Sequence, residues 1–140
     1  MIAYPYTKRM NAIMDVDQAA ALLVTGEAFA EQHGLLQSSA AIVGGAGAQE
    51  CWNPVQRPRL DECPAMAAAT ALALRLAGLS ADDIDAFDLY SCFPSAIQLA
   101  LDAMEIDIAD PRAFTLTGGL AYAGGPGNAY VLFALATAFE

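Results

Sequence analysis

The stretch "FTLTGGLAYAGGPGNAY", residues 114–130, places five glycines between an apolar, β-branched run and a segment suited only to an apolar helix. No other part of the chain restricts the backbone so tightly. Glycines at this density mark either a chain turning through positive φ or a backbone that another group must approach closely. Residues 113–117 thus read as a strand, and a helix is expected from about Asn128. The two are joined by a loop nearly free of side chains. A helix apolar on every side, as this one is, is expected in an interior.

The remaining pattern supplies further strands and helices. A short buried strand is expected near 20–25, then a helix from about Glu27 to the C-terminal glycine Gly34. "SSAAIVGGAG" reads as a second strand, and residues 49–63, with Pro54 and Pro58, as a loop. From Pro64 the run "PAMAAATALALRLAGL" has proline at its first position, strong helix formers throughout and Gly78 after the last turn. Ser80 and Asp83 stand in capping positions for a short turn. "AFDLY" is expected as a strand covered on both faces. Pro94 opens a helix with Ile97, Leu101 and Met104 on one face, ending near "IDIADP". Strand and helix alternate four times, which predicts an α/β architecture with helices layered on a sheet.

Composition removes several function classes. Six Lys plus Arg against sixteen Asp plus Glu give a formal charge of −10, so the basic stripe that nucleic-acid binding requires is not available. The apolar runs fall short of a membrane span, and "MIAYPYTKRMN" lacks a signal-peptide core; a cytoplasmic protein is expected. Hydrophobic residues reach 56% with only 16% charged, more than one small domain needs for its own core. Some of them are expected to face another domain or subunit. Cys51, Cys63 and Cys92 form no CxxC pair and His33 is the single histidine, so neither a disulfide scaffold nor a metal site is expected.

A strand, a glycine loop and a helix start together suggest phosphate binding. A P-loop, however, needs Lys and Ser or Thr after its second glycine, and Gly125 and Pro126 stand there. "GGAGAQE" offers Gly45 and Gly47 after a strand, with Glu50 in the third glycine's place and no clear helix behind it. The dinucleotide pattern fails as well.

Four stretches, in one order, instead resemble the carboxy-terminal half of a thiolase, nearest to the sterol-carrier-protein-type thiolases and thiolase-like acetyl-CoA acetyltransferases. "NAIMDVDQAAALLV" is similar to the family's Asn-Ala-Ser-Gly-x-Asn-Asp-Gly-Ala-Ala-Ala. "LSADDIDAFDLYSCFPSAIQLALDAMEI" resembles Leu-x-x-Asp-Asp-Ile-Asp followed by Asn-Glu-Ala-Phe, or His-Asp-Cys-Phe in the sterol-carrier branch. "TLTGGLAYAGGPGNAY" resembles Asn-x-x-Gly-Gly-x-x-x-x-Gly-His-Pro-x-Gly-Ala, and the helix from Asn128 matches the buried helix that follows. The resemblance covers nearly the whole chain. It implies a thiolase-like layered α/β fold, with residues 1–36 ending the amino-terminal half and 37–140 forming the carboxy-terminal half without its final strand.

The same resemblance implies an acyltransferase that forms or cleaves a C–C bond beside a coenzyme A thioester. The thioester would be the substrate, no cofactor would be needed, and the chain would associate with the missing amino-terminal half and with a second copy or a partner subunit. Asn11, Gly118, Gly119, Tyr122, Gly124, Pro126 and Tyr130 fall at positions implied to contact the substrate. At the catalytic positions Gly125 stands where the family has histidine, and Tyr90 where it has the asparagine that holds a water. Cys92 has a counterpart beside the site in the sterol-carrier branch, and Ile13 replaces a serine that touches coenzyme A. The resemblance places the nucleophilic cysteine outside these residues, so the chain alone is expected to lack thiolytic activity. Tyr90 is then the candidate donor to a developing oxyanion. This leans toward the thiolase-like aldolases that use tyrosines. The other alternative is a non-catalytic thiolase-fold protein that binds acyl-CoA or a partner.

Overall fold

The computed structural model describes residues 1–139. Among the described residues four α-helices form where local signals place them: α1 over Glu27–Gln32, α2 over Pro64–Ala77, α3 over Pro94–Ala103 and α4 over Ala129–Ala138. Short 3₁₀ turns cover Lys8–Met10, Leu36–Ser38, Pro54–Gln56 and Ala81–Asp83. No helix is long and apolar enough to cross a membrane among the described residues.

Helix α2 shows how neighbours complete what the sequence begins. Pro64 is its first residue, and Gly78 closes it at φ +71°, where Leu79 N–H donates back to Leu74 C=O (3.0 Å). Cys63 offers no side-chain cap at the start. Glu50, from the preceding loop, takes that role by accepting from Ala65 N–H (3.3 Å) and Cys51 N–H (3.0 Å). These backbone donors, that of Cys51 first, hold the Glu50 carboxyl below its ordinary value. Helix α3 packs against α2 and buries Ala100 and Leu101. It stops at Ala103, short of "IDIADP", because Glu105 turns the chain through φ +57° while Ile106 N–H reaches back to Leu101 C=O (2.9 Å).

The four expected strands are corrected here: no sheet strand forms among the described residues. A strand is stabilised by its neighbours' backbone groups, and these segments find few. Residues 86–91 and 113–117 come nearest. They run side by side in the same sense, with Phe87 N–H on Ala113 C=O (2.9 Å) and Leu89 N–H on Phe114 C=O (2.8 Å). A further bond expected of a ladder goes elsewhere, since Leu116 N–H donates to the Asp88 carboxylate (2.9 Å). Residues 20–25 and 40–47 have no ladder partner, and Leu23, Val24, Ile42 and Val43 are exposed. The second of these segments lies on α2: a Cβ on Gly44 would sit 2.5 Å from Ala73 O. The expected interior position of α4 is also corrected. It buries only Tyr130 and Ala134, one turn apart, and leaves Val131, Leu132 and Leu135 exposed.

Arg112 ties the turn before the 86–91 segment to the loop after α3. Its guanidinium forks onto Asp110 (2.9 and 2.7 Å), donates to Ala81 O (2.6 Å) and Ile84 O (2.8 Å), and stacks 4.9 Å over the buried Phe87 ring. The Arg112 hydrogen bonds hold the Asp110 carboxyl down to about 2.

Two outcomes follow for this frame. Glu105→Gly relieves a left-handed residue at a helix end and is expected to stabilise the chain by about 0.5–1 kcal/mol in denaturant unfolding. The Asp110 contribution is complete above the ordinary carboxylate pKa of 3.8 and is lost as pH falls through about 2. Acid titration should therefore show a loss of stability across that window that is smaller in Asp110→Asn.

Candidate functional site

The segment 88–92, the glycine loop and the start of α4 converge on one polar cluster. Asp88 is an acid inside the otherwise apolar "AFDLY", and α4 delivers the Tyr130 hydroxyl to both of its carboxylate oxygens at 3.2 Å. The same hydroxyl lies 3.5 Å from Thr117 Oγ1, which accepts from Gly119 N–H (3.2 Å), while Ser91 Oγ accepts from Leu120 N–H (2.9 Å). Burial pushes the Tyr130 phenol above its ordinary value; the Thr117 hydrogen bond opposes the shift and the Asp88 charge adds to it. The phenol thus stays protonated and donates to Asp88. Two side chains fix the first half of the loop through its backbone amides.

The second half is fixed by the N-terminal segment. Ala12 N–H donates to Cys92 C=O (3.1 Å), Ile13 N–H to Leu120 C=O (3.0 Å), and Gly125 N–H returns to Ile13 C=O (2.8 Å). Gln18 adds its amide to Ala123 O (2.7 Å) and Gly124 O (3.1 Å). Residues 11–18 therefore lie along the loop as a strap.

This arrangement identifies what approaches the glycines. A Cβ on Gly119 would lie 2.5 Å from Ser91 Oγ, one on Gly124 2.4 Å from Val16, and one on Gly125 2.4 Å from Leu120. Gly118, Gly119 and Gly124 also adopt φ of +83°, +78° and +84°. Both explanations of glycine hold at once, and the approaching groups belong to the chain itself. Gly119, Gly124 and Gly125 are buried; Gly118 is exposed, with the Tyr122 ring folded against it.

The candidates divide accordingly. Tyr90 is 52% exposed, and its ring meets the buried Tyr130 edge-on at 5.7 Å. Its hydroxyl has no hydrogen-bond partner among the described residues. Tyr122 is still more open, and Pro126 is half-buried. Cys92 packs against the cluster of Leu120, Tyr130 and Ala134. Asn11 is buried, with its amide on Thr7 O (2.6 Å). Tyr130 is 1% exposed and forms the floor behind Tyr90. His33 caps the C-terminal end of α1, its ring 4.2 Å from that of Phe29, and is not part of the cluster. Sequence reasoning missed Asp88, Ser91, Thr117 and Gln18. The one signal available was Asp88, a lone acid in an apolar strand pattern.

No family model and no curated protein matches the sequence. Among solved structures, the chain is similar to a monomeric SCP2-thiolase like protein type 1 from Mycobacterium smegmatis. The TM-score is 0.72 at 38% identity, and the match covers 79% of this chain and 25% of that one. The match thus spans a quarter of that protein's length.

Gly125→Ala drives a methyl group into Leu120 and is expected to destabilise the chain by about 1–3 kcal/mol in denaturant unfolding. Gly45→Ala, where a Cβ meets nothing within 4 Å, serves as the reference and should change stability far less.

Proposed function

We propose that this chain, which is related to the SCP2-thiolase-like proteins, forms one wall of a coenzyme A thioester site in a protein that makes or breaks a C–C bond beside the thioester carbonyl. The observation that carries this reading is Tyr90. Its ring is backed by Tyr130, which Asp88 anchors, its hydroxyl has no hydrogen-bond partner among the described residues, and the resemblance implies that Gly125 occupies the family's histidine position. Claisen and aldol chemistry next to a thioester both pass through an enolate, with charge on the former carbonyl oxygen. A donor aimed at that oxygen lowers the barrier more than it tightens ground-state binding. A phenol on a fixed ring can supply such a donor. Tyr122 and Gly118 border the open side and suit contact with the substrate arm. Acetyl-CoA acetyltransferase chemistry is the first form of this proposal, and an aldolase acting on acyl-CoA uses the same donor.

Cys92 is assigned a packing role, because its side chain lies against the Leu120–Tyr130–Ala134 cluster. The nucleophile for thiolytic chemistry would come from the rest of the protein. A second reading, a thiolase-fold protein that binds acyl-CoA without catalysis, is favoured by the filling of the Gly125 position by Leu120 and by the place of the only histidine at the end of α1.

The test is turnover and thioester binding by the complete protein that carries this chain. Tyr90→Phe keeps the ring and is expected to lower turnover on acyl-CoA substrates roughly a hundredfold with little change in melting temperature. Cys92→Ala should lose stability and keep most of its turnover. Saturable acetyl-CoA binding without turnover in the unaltered protein would establish the non-catalytic reading instead.

A further inference from the structure

A cleft of about 350 Å³ opens between α3 and residues 114–121, and neither Tyr90 nor Cys92 lines it. Its volume lies within the usual range for small-molecule sites. Met10, Pro94, Ile97, Ile108, Phe114 and Ala121 supply an apolar wall, with Met10 and Ile108 exposed at 45% and 66%. The polar lining is Ser91, Gln98 and Thr115, and Gly118 completes it. No charged residue lines the cleft among the described residues, in a chain of net charge −10. A second hollow, about 480 Å³ beside α2, differs in this respect, charged residues Arg59, Asp61, Glu62, Asp102 and Glu105 being among its lining.

The polar groups are held in place. Ser91 Oγ is fixed by Leu120 N–H (2.9 Å) and by the close approach of the Gly119 backbone. Gln98 Oε1 accepts from the Tyr6 hydroxyl (2.6 Å), which sets the amide orientation and leaves its Nε2 hydrogens without a protein partner among the described residues. The Thr115 hydroxyl likewise has no protein partner among them. An amide donor and a hydroxyl are thus available beside an apolar wall with no charge to pair.

We propose that this cleft, which adjoins the thioester wall at Gly118 and Ser91, is a binding site for a neutral amphiphile: an apolar chain or ring body bearing a hydroxyl or carbonyl group. The apolar body lies along Ile97, Phe114 and Ala121, and the oxygen meets Gln98 Nε2 and the Thr115 hydroxyl. An ionised ligand is disfavoured because its charge would lose water without gaining a counter-ion. The proposal stands whether or not the thioester reading does, since it uses none of Tyr90, Cys92 or Gly125.

Calorimetric titration of the complete protein that carries this chain with 1-decanol, and separately with decanoate, tests it. Saturable one-to-one binding of decanol is expected, with decanoate at least about tenfold weaker. Ile97→Trp fills the cleft and should weaken decanol binding about tenfold or more, as lost apolar contact predicts. Thr115→Val preserves shape, removes the hydroxyl and should weaken it about fivefold, which keeps the test open if the tryptophan variant does not fold. Leu23→Ser, on the exposed apolar segment, should leave decanol binding unchanged. Equal binding of decanoate, wild-type binding by the folded Ile97→Trp or Thr115→Val variants, loss of binding in Leu23→Ser, or no decanol binding at all would each overturn the proposal.

Discussion

The hydrogen bond from the buried Tyr130 phenol to Asp88 organises the rest of the site region. A carboxylate turned toward a core needs donors, and it receives them from two elements that are distant in sequence. Tyr130 brings the first turn of α4, and Leu116 N–H brings the segment that runs beside residues 86–91. With both bonds made, the chain between Leu116 and Tyr130 has its two ends fixed, and the glycine loop must close the gap. Four of its glycines take positive φ as a result. Two neighbouring hydroxyls, Thr117 and Ser91, then take up loop amides that would otherwise lack partners.

Around this centre the structure relies on straps more than on a sheet. Arg112 joins the 81–84 turn, the 110 loop and the Phe87 ring through one planar group, which a shorter or less forked side chain could not do. Residues 11–18 cross the glycine loop with two backbone hydrogen bonds and the Gln18 amide, and a third backbone bond joins Ala12 to Cys92. These contacts explain why Gly124 and Gly125 are packed by Val16 and Leu120 and are closed to a ligand. What remains open is Gly118, Tyr122 and Tyr90, together with the neutral cleft beside α3 that Gly118 also lines.

The apolar surplus visible in the composition has a definite location. It lies on residues 20–25 and 40–47, whose backbone edges are unpaired, and on the outer faces of α4. Such edges and faces favour association with other polypeptide.

The sequence by itself determined the features that depend on neighbours a few residues apart. Proline at the first turn and Gly78 after the last one bound α2; Pro94 starts α3; Ser80 and Asp83 close their own turn (2.8 and 2.6 Å). The glycine loop was legible as a loop for the same reason. Four quoted motifs also made the thiolase relationship legible, because a resemblance in order survives where single residues have changed. Tertiary structure alone decided what fills the loop, because Gln18 meets Ala123 across 105 positions and Asp88 meets Tyr130 across 42. It also decided that the expected strands do not form a sheet and that α4 buries a single stripe. An apolar pattern records that a segment can be covered, whereas strand pairing and burial require the covering groups to be present. Tyr90 and Tyr130, both marked by the same motifs, separate for this reason into an open hydroxyl and its buried support.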